Sequence, residues 1–293
     1  MVERELIRIG NDRLSAAISP YGAELSHLHD ADGRELMTDA DPTFWRGRAP
    51  ILFPVVGRVT GDVLRIDGTE YPMPKHGFAR RSLFEVVAAE EGWAVFALTD
   101  SEETRAAYPF AFRLEVGFRL DNATLLIEVA VENRGDRAMP AQFGFHPAFA
   151  WPLPYGRDRA EHRILFDQDE PGDLRRVTPD GFIAEEGRPT PVDGRDLALH
   201  DTLFADDALV WDPVRSQRLR YGAPDRPQLD IAFPDTPRLG VWTKPGARFV
   251  CVEPWHGIAD PAGFSGEYRD KPGVFEIAPG EAKRIGMSVT LVP

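Results

Sequence analysis

An all-β fold of antiparallel strands is what this sequence predicts, on three observations. Short runs of alternating apolar and polar residues recur along the chain, each bounded by turn-forming residues. Its 26 glycines and 26 prolines in 293 residues are scattered rather than clustered, which implies many separate turns and few long helices. Helix signals are sparse, with one convincing short segment.

The first strands fall at residues 5–9, 13–19 and 23–29, separated by Gly10-Asn11-Asp12 and Pro20-Tyr21-Gly22, a pattern that reads as a meander. Residues 63–66 and 69–71 flank Asp67-Gly68, a pair that readily takes the positive φ angles of a type I′ hairpin turn. Strands follow at 83–88, 93–99, 112–120 and 124–133, the last two joined by a tight turn at Asp121-Asn122. A helix is predicted over 101–108: Ser101 caps it, Glu102 and Glu103 complement its positive end, and Pro109 stops it. Residues 151–199, rich in Pro, Gly, Asp and Arg, are expected to form long loops around a few strands. They read as an insertion, because the strand pattern of 114–118 resumes at 208–211 and 229–233. Two sheets closing over one core, in a single domain spanning 1–293, account for that continuity.

Composition narrows the function classes. With 34 Lys and Arg against 47 Asp and Glu, the net charge of −13 repels a nucleic-acid backbone or an anionic membrane, so neither is expected as a partner. A local basic pocket for a small phosphorylated ligand survives that count. Cys251 is the only cysteine, so no intrachain disulfide forms, which suits a reducing cytoplasm. The N-terminal residues lack the apolar stretch of a secretory signal, and residues 49–56 are interrupted by Pro50 and Pro54, far short of the ~20 apolar residues of a spanning helix. The expectation is a soluble cytoplasmic protein. Glycine-rich phosphate loops and a GxSxG nucleophile elbow are absent from the sequence, which removes dinucleotide enzymes and α/β hydrolases. His27 and His29 lie two apart on one face of a predicted strand, yet no acidic or cysteine cluster accompanies them in sequence, so no metal is expected.

Three tripeptides stand out: Lys75-His76-Gly77, Phe145-His146-Pro147 and Val252-Glu253-Pro254. Each lodges one titratable side chain among apolar or conformationally restricted neighbours. Two imidazoles and a carboxylate in one cleft could deliver one proton and remove another at neutral pH. Burial between Val252 and Trp255 would raise the Glu253 pKa toward that of a useful base. Arg58, at the end of Phe53-Pro54-Val55-Val56-Gly57, could grip hydroxyls or a carboxylate, and Trp255 offers a flat face for a sugar ring. The competing readings are buried histidines satisfied by backbone, a salt-bridged arginine, a glutamate at a sheet edge and a core tryptophan.

These residues, in Phe53-Pro54-Val55-Val56-Gly57-Arg58, Lys75-His76-Gly77-Phe78-Ala79-Arg80, Gly144-Phe145-His146-Pro147-Ala148-Phe149 and Cys251-Val252-Glu253-Pro254-Trp255, resemble the aldose 1-epimerase (galactose mutarotase) family, in its LacX-like branch. Four motifs in the same order make the match specific. The resemblance implies a galactose mutarotase-like β-supersandwich that interconverts the α and β anomers of a free sugar, an aldose, with no cofactor. It implies that Glu253 takes the C1 hydroxyl proton while His146 protonates the ring oxygen, with His76 and Arg58 binding the sugar. The family's sugar-binding aspartate maps to Asp207, with Asp206 and Asp230 as competitors. His256 reads as a solvent-facing loop residue, and Lys75, Arg80 and Arg81 are the candidates for a hexose 6-phosphate rim.

Overall fold

The computed structural model describes residues 5–293, whose regular structure is almost entirely antiparallel strand. A nine-stranded sheet runs in the order Asp196–Ala198, Arg163–Phe166, Arg218–Gly222, Gln228–Ala232, Ala282–Val292, Thr124–Asn133, Phe112–Asp121, Trp93–Thr99, Glu85–Glu90. A seven-stranded sheet runs Phe143–Gly144, Phe249–His256, Arg238–Trp242, Leu209–Trp211, Leu174–Val177, Ile183–Arg188, with Ala148–Ala150 also paired to Phe249–His256. A three-stranded meander of Ile7–Gly10, Leu14–Ser19 and Glu24–Asp30 opens the chain, where the sequence places it.

Local chemistry accounts for these elements. Phe112, Leu114, Val116 and Phe118 alternate into the core along Phe112–Asp121, while the intervening residues stay accessible, the signature of a sheet with one covered face. The hairpin of Val63–Ile66 and Thr69–Pro72 turns through Asp67 and Gly68, both with positive φ, as a type I′ turn requires. The helix Glu102–Ala107 carries a capping box: Ser101 Oγ accepts from the Thr104 amide at 3.2 Å, and Thr104 Oγ1 accepts from the Ser101 amide at 2.8 Å.

Residues 151–199 form loops around a few strands, as their composition predicts. They supply four strands, two to each sheet: Arg163–Phe166 and Asp196–Ala198 to the larger, Leu174–Val177 and Ile183–Arg188 to the smaller. Arg175, Arg176, Glu185 and Glu186 occupy exposed positions of the two middle strands, which leaves few apolar positions there to signal strand. Among the described residues no helix is long and apolar enough to cross a membrane.

Both sheets feed one apolar cluster. Val250 and Val252 of Phe249–His256 pack there with Ile231, Ile285 and Val289 of the larger sheet. By strand alternation Phe249, Cys251, Glu253 and Trp255 leave the opposite face, and Glu253 and Trp255 line the cleft described next.

Candidate active site

Glu253 lies on the pocket face of Phe249–His256, opposite Gly240 on one neighbouring strand. On the other side the register pairs Gly144 with Trp255 and Ala148 with Cys251, and the same register sets His146 across from Glu253. His146 Nε2 accordingly meets Glu253 Oε2 at 3.2 Å, a cross-strand pair buried in the sheet face. Gly240 and Gly144 are small because the Trp255 indole lies across both: a Cβ on Gly240 would stand 2.5 Å from its Cη2, and one on Gly144 2.6 Å from its Cδ1.

Aromatic rings wall the pair. Trp45 stacks on the His146 imidazole at 4.9 Å, and Trp242 and His76 present edges at 5.9 and 5.8 Å. Gly47 permits this, since a Cβ there would meet the Trp45 ring at 2.3 Å. His76 is held in the left-handed region at φ 66°, with its amide donating to Gly57 O at 2.8 Å. Its Nδ1 accepts from the Gly57 amide at 3.1 Å, which leaves the neutral ring's proton on Nε2. Gly77 closes this loop against Phe53, whose carbonyl oxygen would lie 2.0 Å from any Cβ.

The cleft encloses about 300 Å³, at the small end of ligand pockets, and Lys75, His76, Arg80, His146, Asp207, Glu253 and Trp255 line it with apolar residues. Burial pushes the Glu253 pKa well up, opposed by Lys75 and reinforced by Asp207. Burial also pushes His146 down to about 3, and drives His76 well below its ordinary value with help from the His146 charge. Burial thus works against the charged form of both partners of the 3.2 Å contact. His146 Nδ1 has no hydrogen-bond partner among the described residues.

Of the residues singled out from sequence, the cleft brings together Glu253, His146, His76 and Asp207. Asp207 sits on the exposed rim at φ 75°, its Oδ1 accepting from the Ala208 amide; Asp206 does not line the cleft, and Asp230 pairs with Arg218 and Arg220 on the larger sheet. Arg58 is a departure. Its guanidinium turns to Asp62 at 3.2 Å and to the Asp180 carbonyl at 3.1 Å, outside the cleft lining, because Asp62 four residues on supplies a closer anion. Arg80 and Lys75 take the cationic positions instead. His256 is no loop residue: it ends strand Phe249–His256, half-buried edge-on to Phe275 at 4.7 Å.

Sequence reasoning missed Trp45, Trp242 and the wall formed by Val177, Gly181 and Ile183. The strand pattern at residues 238–242 carried a signal for Trp242, whose side chain shares the outward face with Gly240. Trp45 left no periodic signal, being in an irregular segment.

The family model described as aldose 1-epimerase matches residues 5–271. The chain is 27% identical over 296 residues to the plasmid protein LacX of Lactococcus lactis, covering 98% of this chain and 99% of that one. Among solved structures it resembles a galactose mutarotase related enzyme from Lactobacillus acidophilus, with TM-score 0.90 and 31% identity over 98% of this chain and 97% of the other. A galactose mutarotase-like protein from Lactobacillus casei gives TM-score 0.90 and 29% identity over 98% and 100% of the two chains.

Proposed function

The chain belongs to the aldose 1-epimerase family, and from that premise we propose that it interconverts the α and β anomers of a free hexose by ring opening and re-closure. The observation that carries this reading is the buried Glu253–His146 pair at 3.2 Å, at the floor of a hexose-sized cleft beside the flat Trp255 indole. Glu253 takes the proton of the C1 hydroxyl while His146 delivers one to the ring oxygen. The C1–O5 bond then breaks, leaving an aldehyde at C1 and a hydroxyl at C5. Rotation about C1–C2 presents the other aldehyde face, and the C5 hydroxyl re-closes on it with the two groups exchanging roles. His76 Nε2–H donates to a sugar oxygen, Asp207 accepts from sugar hydroxyls at the rim, and Trp255 stacks on the C–H face of the ring.

The test is polarimetry on a freshly dissolved single anomer, comparing the protein with the spontaneous rate. No acceleration with any common aldose, alongside saturable sugar binding, would replace this reading with a non-catalytic carbohydrate-binding protein.

One feature favours a second reading, hexose-6-phosphate mutarotase. Arg80 and Lys75 line the cleft, and among the described residues neither has an ion pair or side-chain hydrogen bond. Arg80 is half-buried, and desolvation and the Arg81 charge lower its pKa against the opposing pull of Glu24, so an anionic substrate group would add to that compensation. Arg81 faces away from the cleft. If the substrate is phosphorylated, Arg80→Ala lowers kcat/KM for glucose 6-phosphate at least tenfold and leaves glucose unchanged; equal effects on both sugars would refute the phosphate reading.

A further inference from the structure

Outside the cleft, a second group of metal-capable side chains converges on one point. His27 and His29 share a face of strand Glu24–Asp30, and their imidazoles stack with centroids 5.6 Å apart at 13°. Sequence gave them no third ligand, but the fold supplies one. The turn at Asp30 to Gly33, with Gly33 at φ 77°, reverses the chain and bridges Glu35 to His29. Glu35 Oε1 is fixed by the amides of Leu28 at 3.1 Å and Met37 at 3.0 Å. That aims Oε2 between the rings, 2.5 Å from His27 Nδ1 and 3.4 Å from His29 Nε2.

We propose that His27, His29 and Glu35 form a binding site for a divalent transition-metal ion of the zinc type. Glu35 Oε2 sits closer to His27 than to His29, and both rings face it. A cation at the centre satisfies all three donors together. Their ligand atoms lie within 4.8 Å of one another. A tetrahedral zinc with bonds of about 2.0–2.2 Å separates its ligand atoms by roughly 3.4 Å, so the His29–Glu35 spacing already fits and the His27–Glu35 contact opens by about 1 Å. All three side chains are about 30% exposed, which leaves the remaining coordination position open to water and gives the ion an entry path. The ion would tie the strand to the returning segment, stabilising the folded state by mass action.

The test is Co²⁺ titration of the untagged full-length protein, followed by visible absorption and by thermal unfolding. The expected result is one saturable equivalent with the intense ligand-field bands of a low-coordinate ion, competed by Zn²⁺, and a rise in Tm. His29→Ala, His27→Ala and Glu35→Gln should each weaken binding at least tenfold while leaving the metal-free Tm near wild type, and Glu35→Gln, the mildest change, decides if an alanine variant fails to fold. His146, Cys251 and Glu253 are also close enough to chelate an ion. Cobalt there would show a sulfur-to-metal charge-transfer band abolished by Cys251→Ser. No saturable binding, binding indifferent to the three variants, or binding that follows Cys251→Ser would overturn the proposal.

Discussion

Glu253→Gln keeps the shape of the side chain and removes its capacity to exchange a proton, so it separates chemistry from architecture. Glu253 is 2% exposed and its partner His146 7%, and both line the cleft. A positioned acid or base is typically worth about 10²–10⁴ in rate, or about 2.7–5.4 kcal/mol. We expect kcat for mutarotation to fall at least 100-fold with KM little changed, measured by polarimetry above the spontaneous rate. Stability should move the other way. Because burial raises the Glu253 pKa, the folded state holds the proton more tightly than the unfolded chain. Its contribution is present at low pH and lost as pH rises through the raised value. Glutamine has no charge to desolvate, so the variant should match or exceed wild-type Tm above neutrality. Mutarotation within a few-fold of wild type, in a variant that stays folded, would refute the assignment of Glu253 as the proton acceptor.

His146→Asn should likewise lower kcat at least 100-fold, read in the same assay. The same variant tests a pH effect of opposite sign: His146 is held down to about 3 from 6.5, so the unfolded chain takes up its proton first and stability drains as pH falls from 6.5 toward 3. Thermal unfolding across that range should be flatter in His146→Asn, and an unchanged slope would refute the burial argument. Gly240→Ala, whose Cβ would stand 2.5 Å from Trp255, should push the indole into the cleft and raise KM for the sugar several-fold while the acid–base pair survives; unaltered KM would mean that the Trp255 face does not carry the sugar.

Much of this architecture is legible because β structure writes itself in alternation and turns. Phe112–Asp121 and Thr124–Asn133 announce themselves by their buried faces, and the turn between them is centred one residue later than Asp121-Asn122, since Asp121 and Thr124 still pair. The site is legible in part because Phe145-His146-Pro147 and Val252-Glu253-Pro254 are cross-strand partners, two halves of one register. What sequence could not give is side-chain direction. Arg58 and Arg80 follow equally suggestive motifs, and only the nearby Asp62 carboxylate draws one of them off the cleft. Glu35 was invisible as a partner for His27 and His29 because a turn, not a period, brings it back.

Under the proposed reaction, the burial of both partners constrains how the chemistry starts. A carboxylic acid facing a neutral imidazole contains the same number of protons as a carboxylate facing an imidazolium, so passing from one to the other needs only a transfer across the 3.2 Å contact. Burial favours the neutral form, because each separated charge would be desolvated. The charge-separated form is the one in which Glu253 can accept and His146 can donate. Lys75 acts in its favour by lowering the Glu253 pKa, and Asp207 opposes it by raising that pKa. A sugar whose hydroxyl hydrogen-bonds Asp207 would spread that negative charge and relax its effect on Glu253. Substrate binding at the rim would then tip the pair at the floor toward its reactive form. Asp207→Asn, which removes the opposing charge permanently, should accordingly shift the acid limb of the kcat/KM profile to lower pH even as it weakens sugar binding.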